Sequence, residues 1–449
     1  MKSAARTAKA AKSRAAHARP KRRNNTTAVQ RSRGIRRPSA GILIAAMAMA
    51  LIPLIVAPSA SDPFRLPKTL LFQATGLLLL GGMVIGALLR GGADWRTLLH
   101  DRVNQLLVAI VAWAALATIV SATPLVSLYA LLTVVSGAAF FVTMRQAGRT
   151  WQTGALWFLF LPALVNAAIV FLQELKIWNP LIESALRARH EATTGLLGNP
   201  NDVGSFLAPV VIAAAAAALA ARRWQRFVIS VLVFAACAVA LILTQTRAAI
   251  GATTVGLVMI AMLMWRRRAL LVATAVLILA VLAAASYRPL LNRLQGQISL
   301  ATFASGRMIA FAAAADMIRQ RPFFGVGPGG FAYHFFDYSS ALMHAHPSLV
   351  PAGTHPNFGE VHNDHLQIAA ETGLPGYILF LAALIALSRR SRSTRRGSET
   401  ESTAIGRLVA LPLAATLATL ALFQFPLQIT APTMAFLFTA GLSVGWTDG

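Results

Sequence analysis

Apolar runs separated by short charged connections fill most of this chain. Runs of about 17–22 residues recur, the length needed to cross a hydrocarbon core of about 30 Å. Twelve are read: 41–57, 69–89, 104–120, 125–143, 155–172, 203–221, 227–243, 248–264, 270–286, 374–388, 405–422 and 428–445. Two pairs, 104–120 with 125–143 and 227–243 with 248–264, have connections so short that they read as hairpins. The pattern predicts an all-α polytopic membrane protein of about twelve transmembrane helices, with one long connection, 287–373, holding short helices of its own.

Composition agrees with the pattern. The 449 residues are 56% hydrophobic and 12% charged, about half the charged fraction of a soluble domain, and mean hydropathy is +0.62. The single cysteine, Cys237, lies inside an apolar run, so no intrachain disulfide framework is open to the chain. A net charge of +26 on a soluble protein suggests nucleic acid. Here the placement of the charge suggests orientation instead, and no nucleic-acid partner is expected. Residues 1–40 are rich in Lys and Arg and contain no acid, a composition that predicts a disordered cytoplasmic tail touching anionic lipid headgroups. With that tail inside, each inside connection is basic: LLRGGADWRTLLHDR, MRQAGRT, RRWQR, WRRR and RRSRSTRRGSETES. This assignment puts 30 of the 41 Lys and Arg inside, but only 5 of the 15 acids, as the positive-inside rule requires. It divides the chain into the tail (1–40), nine helices (41–286), a large external loop (287–373) and three helices (374–449), with both termini cytoplasmic.

The polar residues then gather outside. Six of the nine histidines lie in the large loop: His334, His344, His346, His355, His362 and His365. Four external stretches carry candidate chemistry. SDPFRLPK offers Arg65 and Lys68 at the outer end of a span, where a basic residue either snorkels or serves a partner. TTGLLGNPND is turn chemistry, with Asn201 or Asp202 as candidate cap of a helix starting near Val203. LILTQTRAAIG sets Arg247 between two apolar spans, with no acid nearby in sequence. A guanidinium at that depth is costly and suits phosphate oxygens. In the large loop, Ser305 is a candidate cap for a helix running to about Gln320, with Arg307 in its first turn and Pro322 beyond its end. FGVGPGGF has the wrong spacing for a nucleotide fingerprint and reads as a tight turn. In VHNDHLQIAAETG, Asn363 or Asp364 caps a short helix that Gly373 ends, which places His362 at its start, facing the bilayer surface. A metal site using His344 and His346, or His362, Asp364 and His365, is the weaker reading, because no pair has the i, i+4 spacing of a zinc helix. A lone histidine acting as general base is the stronger one.

These stretches together resemble the O-antigen ligase family. His362-Asn363, followed after nine residues by Gly373-x-x-Gly376, is similar to that family's signature, although Tyr377 stands where the signature often continues with Thr. LPKTL, GLLGNPND, TQTRAAIG and SGRM…RPFFGVGPGGF extend the resemblance over roughly 62–430. It implies a GT-C-type glycosyltransferase of the bacterial inner membrane with no cofactor and no metal. Its donor would be a glycan on undecaprenyl diphosphate, and its acceptor lipid A–core or a growing glycan. It also implies roles: His362 as base, Arg247 and Arg307 on the diphosphate, Lys68 or Arg65 adding to the clamp, and Asn199, Asn201 and Asn363 lining the site. Ligase and polymerase both remain open on these residues. A polysaccharide-lipid transporter is a different class, disfavoured because the spans hold few ionisable groups.

Overall fold

The computed structural model describes residues 39–89, 101–151, 153–179, 193–264, 307–345, 357–392 and 399–448. Thirteen α-helices run through them, and no strand occurs among the described residues. In chain order they are α1 Ala40–Leu51, α2 Leu66–Leu89, α3 Arg102–Ile119, α4 Pro124–Thr150, α5 Trp157–Glu174, α6 Pro200–Ala220, α7 Trp224–Leu243, α8 Arg247–Met264, α9 Met308–Gln320, α10 Gly330–Ala345, α11 Asp364–Ser388, α12 Glu401–Ala421 and α13 Thr430–Asp448. Local sequence starts several of them. The side chains of Ser39, Asp101, Asn199, Asn363 and Thr400 cap α1, α3, α6, α11 and α12 by accepting backbone N–H bonds. Proline stands in the first turn of α4 and α6, where its missing N–H costs nothing.

Among the described residues, nine helices are long and apolar enough to cross a membrane: α2 to α8, α11 and α12, with α5 extended by a 3-10 turn at Thr153. They correspond to nine of the twelve apolar runs. The run 270–286 lies outside the described residues, as do Ser305, His346, His355 and nearly all of the basic tail. The run 41–57 gives a shorter apolar helix, which ends in a 3-10 turn carrying Pro53. The run 428–445 is helical as α13 but buried along most of its length, so its Thr, Ser and Gly positions meet protein rather than lipid.

Small residues set the packing, as expected where lipid tails offer no hydrophobic drive to helix association. Gly441 and Gly445 of α13 bring that helix against α4. A Cβ on Gly445 would lie 2.2 Å from the carbonyl oxygen of Arg145, and one on Gly441 2.8 Å from the Met144 side chain. The alanine-rich α6 is almost wholly buried at the centre, against α7, α8, α12 and α13. Leucines of α2, among them Leu77, Leu78, Leu88 and Leu89, face outward as a lipid-contacting surface does.

Two expectations change. The spans 227–243 and 248–264 do not form a close hairpin: α8 packs chiefly on α12 and α6 rather than along α7. The turn between them places Gln245 at φ 56°, while the Thr246 hydroxyl donates to the carbonyl of Pro200 (3.0 Å), drawing the start of α8 onto α6. Neither Asn201 nor Asp202 caps α6. Asn199 does, and the helix begins at Pro200.

A second, smaller apolar cluster forms a cap from α9, α10 and the first half of α11, with Ile309, Met317, Phe331, Phe335 and Val361 inside. The glycine-rich turn between α9 and α10 is fixed by Glu371. Its carboxylate accepts the N–H groups of Gly329 (2.8 Å) and Phe331 (3.4 Å), and its carbonyl accepts the N–H of Gly327 (3.0 Å). Gly373 breaks α11 with φ 72°, and a Cβ there would fall 2.0 Å from the Phe323 carbonyl oxygen. Gly373→Ala is expected to lose about 1–3 kcal/mol from backbone conformation alone, before the clash. It should lower the melting temperature of the purified protein clearly, whereas Gly81→Ala, with nothing within 4 Å of the added methyl, should not.

Candidate functional site

The site forms where five helix ends and the α12–α13 loop meet. Ahead of α2, Asp62 accepts the backbone N–H groups of Phe64 (3.0 Å) and Arg65 (2.8 Å), which fixes the approach to the helix. Two basic residues follow with different fates. Lys68 is buried, and its ammonium donates to three backbone carbonyls: Ile55 (2.6 Å), Phe64 (2.9 Å) and Leu196 (3.0 Å). All three of its N–H groups are thus used in tying loops together. Arg65 stays partly open. It pairs with the buried Asp202 (3.3 Å) and with Glu360 (2.8 Å), and its guanidinium lies 5.6 Å from the Phe425 ring centre.

On the other side, Asn363 is the N-cap of α11. Its side chain accepts the N–H of Leu366 (3.0 Å) and donates to the carbonyl of Leu422 (3.0 Å). Arg307, at the N-cap of α9 rather than in its first turn, donates to the carbonyl of Phe423 (3.0 Å). Asp364 is fully buried and accepts from the Leu427 N–H (2.9 Å) and the Gln428 amide (3.3 Å), while its own N–H donates to Gln424 (3.2 Å). The loop 422–428 is therefore grasped by three residues of the cap: Arg307, Asn363 and Asp364.

His362 sits in the middle. It is half-buried between Phe425 (ring centres 4.7 Å, edge-on) and Phe358 (6.0 Å) rather than facing the bilayer surface, and its Nδ1 is buried without a hydrogen-bond partner. Its φ of 60° is left-handed, a costly conformation for a non-glycine residue, of the kind that collects at functional sites. Burial, then the nearby guanidiniums of Arg307 and Arg65, push its pKa down to about 4. At neutral pH the imidazole is thus uncharged and can accept a proton. Burial likewise lowers the pKa of Arg307. For Arg65, burial opposes the charge, but the carboxylates of Asp202, Glu360 and Asp62 outweigh it and raise the value.

The remaining sequence candidates lie close by or are otherwise occupied. Asn199 and Asn201 are half-buried at the start of α6, where Gly198 (φ 79°) lies directly against the Phe64 ring. Arg247 is exposed at the start of α8, joined to this end of the bundle through Thr246. His365 turns away, its Nε2 donating to the Ala418 carbonyl (2.9 Å) and its Nδ1 accepting from Tyr377 (3.3 Å). Among the described residues, no group of three or more His, Cys, Asp or Glu is arranged to hold a metal ion. Sequence reasoning missed Glu360, the pairing of Asp202 with Arg65, and Phe425. Glu360 stood in a polar stretch whose histidines drew the attention, and Phe425 in a short loop with no chemical mark.

The bundle and this polar site at its helix ends define a multi-pass helical membrane protein. Residues 231–381 match the family model described as O-Antigen ligase, from within α7 into α11. Over that stretch, about a third of the chain, the protein is similar to the O-antigen ligase family, whose members are glycosyltransferase-like ligases and polymerases acting on lipid-linked glycans. Arg247, Arg307, His362 and Asn363 fall inside the match; Arg65, Lys68, Asn199 and Asn201 fall outside it. No curated protein matches the chain.

The depressed pKa of His362 has a measurable consequence. At pH 5.5 its imidazole should still react with diethyl pyrocarbonate at nearly its neutral-pH rate, read by mass spectrometry of the modified peptide. Histidines with the ordinary value of about 6.5 should already have lost most of theirs. Arg307→Gln, which removes a contribution smaller than that of burial, should raise the midpoint of His362 only in part. An ordinary midpoint for His362 in the unaltered chain contradicts the assignment.

Proposed function

We propose that the protein transfers a glycan from undecaprenyl diphosphate to an acceptor hydroxyl of lipid A–core, at the periplasmic face of the inner membrane. The observation that supports this most is a neutral imidazole, His362, held beside two guanidiniums, Arg65 and Arg307. An uncharged base next to a pair of cations suits a reaction in which a hydroxyl loses its proton while a diphosphate leaves.

The orientation has its own support. Among the described residues, Arg102, Arg145, Arg222, Arg223, Arg226, Arg389, Arg390 and Arg407 gather at the helix ends opposite the site. That is the cytoplasmic end by the positive-inside rule. On this reading the site lies outside, where no nucleotide sugar is at hand.

In this reading Arg307 and Arg65 hold the donor's phosphate oxygens, with Arg247 reaching from α8, and the lipid tail runs among the helices. The acceptor oxygen attacks the anomeric carbon from the face opposite the phosphate, so configuration inverts. The bond between anomeric carbon and phosphate oxygen breaks, the hydroxyl proton passes to His362, and lipid diphosphate departs with its charge offset by the guanidiniums. Asn363, Asn199 and Asn201 border the space. Lys68 supports the fold beneath it rather than the diphosphate, since its three N–H groups are already used. Glu360 occupies Arg65 until phosphate takes its place. Donor phosphates also offset the repulsion of Arg307 and Arg65 toward imidazolium, so His362 becomes a stronger base when donor binds.

The test is a gel of surface glycolipids from a strain lacking this protein, complemented by variants expressed at equal level. Loss of long glycan from lipid A–core, with full-length glycan retained on the carrier, marks ligation. Single repeats on lipid A–core without long chains mark polymerisation by the same site. His362→Ala is expected to cut transfer by about 10²–10⁴-fold and Arg307→Ala by about 10²–10³-fold; full activity in His362→Ala removes the base from the mechanism. In liposomes, kcat/KM, which reports the free enzyme, should persist down to about pH 4. The acid limb of kcat, which reports the donor complex, should lie at higher pH.

A further inference from the structure

Two adjoining cavities open at the opposite, basic end of the bundle, far along the helices from His362. One, of about 180 Å³, is walled mainly by apolar side chains, among them Trp157, Phe160, Ile229 and Ile405. The other, of about 310 Å³, is walled by polar and charged groups, among them Arg222, Arg223 and Arg226. They share Thr153, Arg226 and Glu401, so they form one continuous depression with a cationic mouth and an apolar floor.

The charge at the mouth is only partly offset. Arg226 pairs with Glu401 (2.9 Å), and the Glu399 carboxylate is engaged by Arg407 (2.9 Å). Arg222 donates to the backbone carbonyl of Glu399, and the Arg223 side chain makes no hydrogen bond or ion pair among the described residues. Four guanidiniums therefore face two carboxylates. The helix starts reinforce the excess: α7 begins at Trp224 with Arg223 as its cap residue and no side-chain cap bond, and α12 begins at Glu401. Both present N–H groups and a positive dipole end. Trp157 and Trp224 are exposed beside it, the placement favoured where hydrocarbon meets headgroups.

From this geometry we propose a binding site for an anionic phospholipid. Its phosphate rests on Arg222 and Arg223, and an acyl chain lies along Trp157, Ile229 and Ile405. Phosphatidylcholine fits less well, because its choline sets a cation among the guanidiniums. The site is independent of the glycosyl-transfer reading and uses none of its residues.

The test uses the purified full chain in detergent. Native mass spectrometry follows retention of phosphatidylglycerol against phosphatidylcholine of the same acyl chains. The unaltered chain should retain phosphatidylglycerol preferentially, and the preference should fall about fivefold for each guanidinium removed in Arg222→Gln and Arg223→Gln. Ile229→Trp, which fills the apolar floor and leaves the charges, should also weaken retention. Equal retention of the two lipids, or an unchanged preference in the Arg222→Gln/Arg223→Gln double variant, overturns the proposal. So does displacement of the lipid by millimolar inorganic phosphate with the same gain in melting temperature, which would assign the site to free phosphate.

Discussion

Everything at the site depends on how the cap grips the loop between α12 and α13. Asp364 is buried, with its carboxylate on the Leu427 N–H and the Gln428 amide, and the side chains of Asn363 and Arg307 take the carbonyls of Leu422 and Phe423. A buried carboxylate without such donors would be severely penalised. The loop is therefore held in one conformation, and that conformation sets the Phe425 ring against His362 and Arg65. His362 and Arg65 are thus positioned by a network of backbone hydrogen bonds in the loop.

Electrostatics then divides the basic residues by role. Lys68 is saturated by three carbonyls, while Arg65 has carboxylate partners on one side and an aromatic face on the other. The planar fork of an arginine keeps donors in fixed directions, so Arg65 can exchange a carboxylate for a phosphate without moving its stem. Burial first, and then the guanidiniums of Arg307 and Arg65, keep His362 uncharged. In the proposed mechanism, one arrangement serves the base and the leaving group together. Glu371 and Gly373 serve it from behind, by fixing the glycine-rich turn and letting α11 pass the Phe323 carbonyl.

Much of this was legible in one dimension. Length and apolarity of the runs located nine spans, because a hydrocarbon slab imposes the same length on every crossing helix. The positive φ values at Gly325, Gly327 and Gly329 were legible as a turn. Other features misled for physical reasons. The three-residue turn 244–246 looked like a hairpin, yet side-chain bonding to Pro200 sends α8 toward α12. The cap of α6 was sought at Asn201 or Asp202, but the proline at 200 fits the first helical position, which moved the cap to Asn199 and left Asp202 to pair with Arg65.

The sequence by itself determined the membrane class, the segregation of Lys and Arg to one end, and the identity of His362, Asn363 and Arg307 as residues of interest. These follow from local periodicity, charge counting and short motifs. Only the tertiary structure decided that Lys68 is saturated by carbonyls while Arg65 stays partly exposed, that Phe425 and Glu360 lie beside His362 and Arg65, and that Arg222 and Arg223 border a cavity. Those outcomes join residues as far apart in the chain as 65, 202, 360 and 425. Which donor meets which carbonyl is settled by packing, and no periodicity in the chain encodes it.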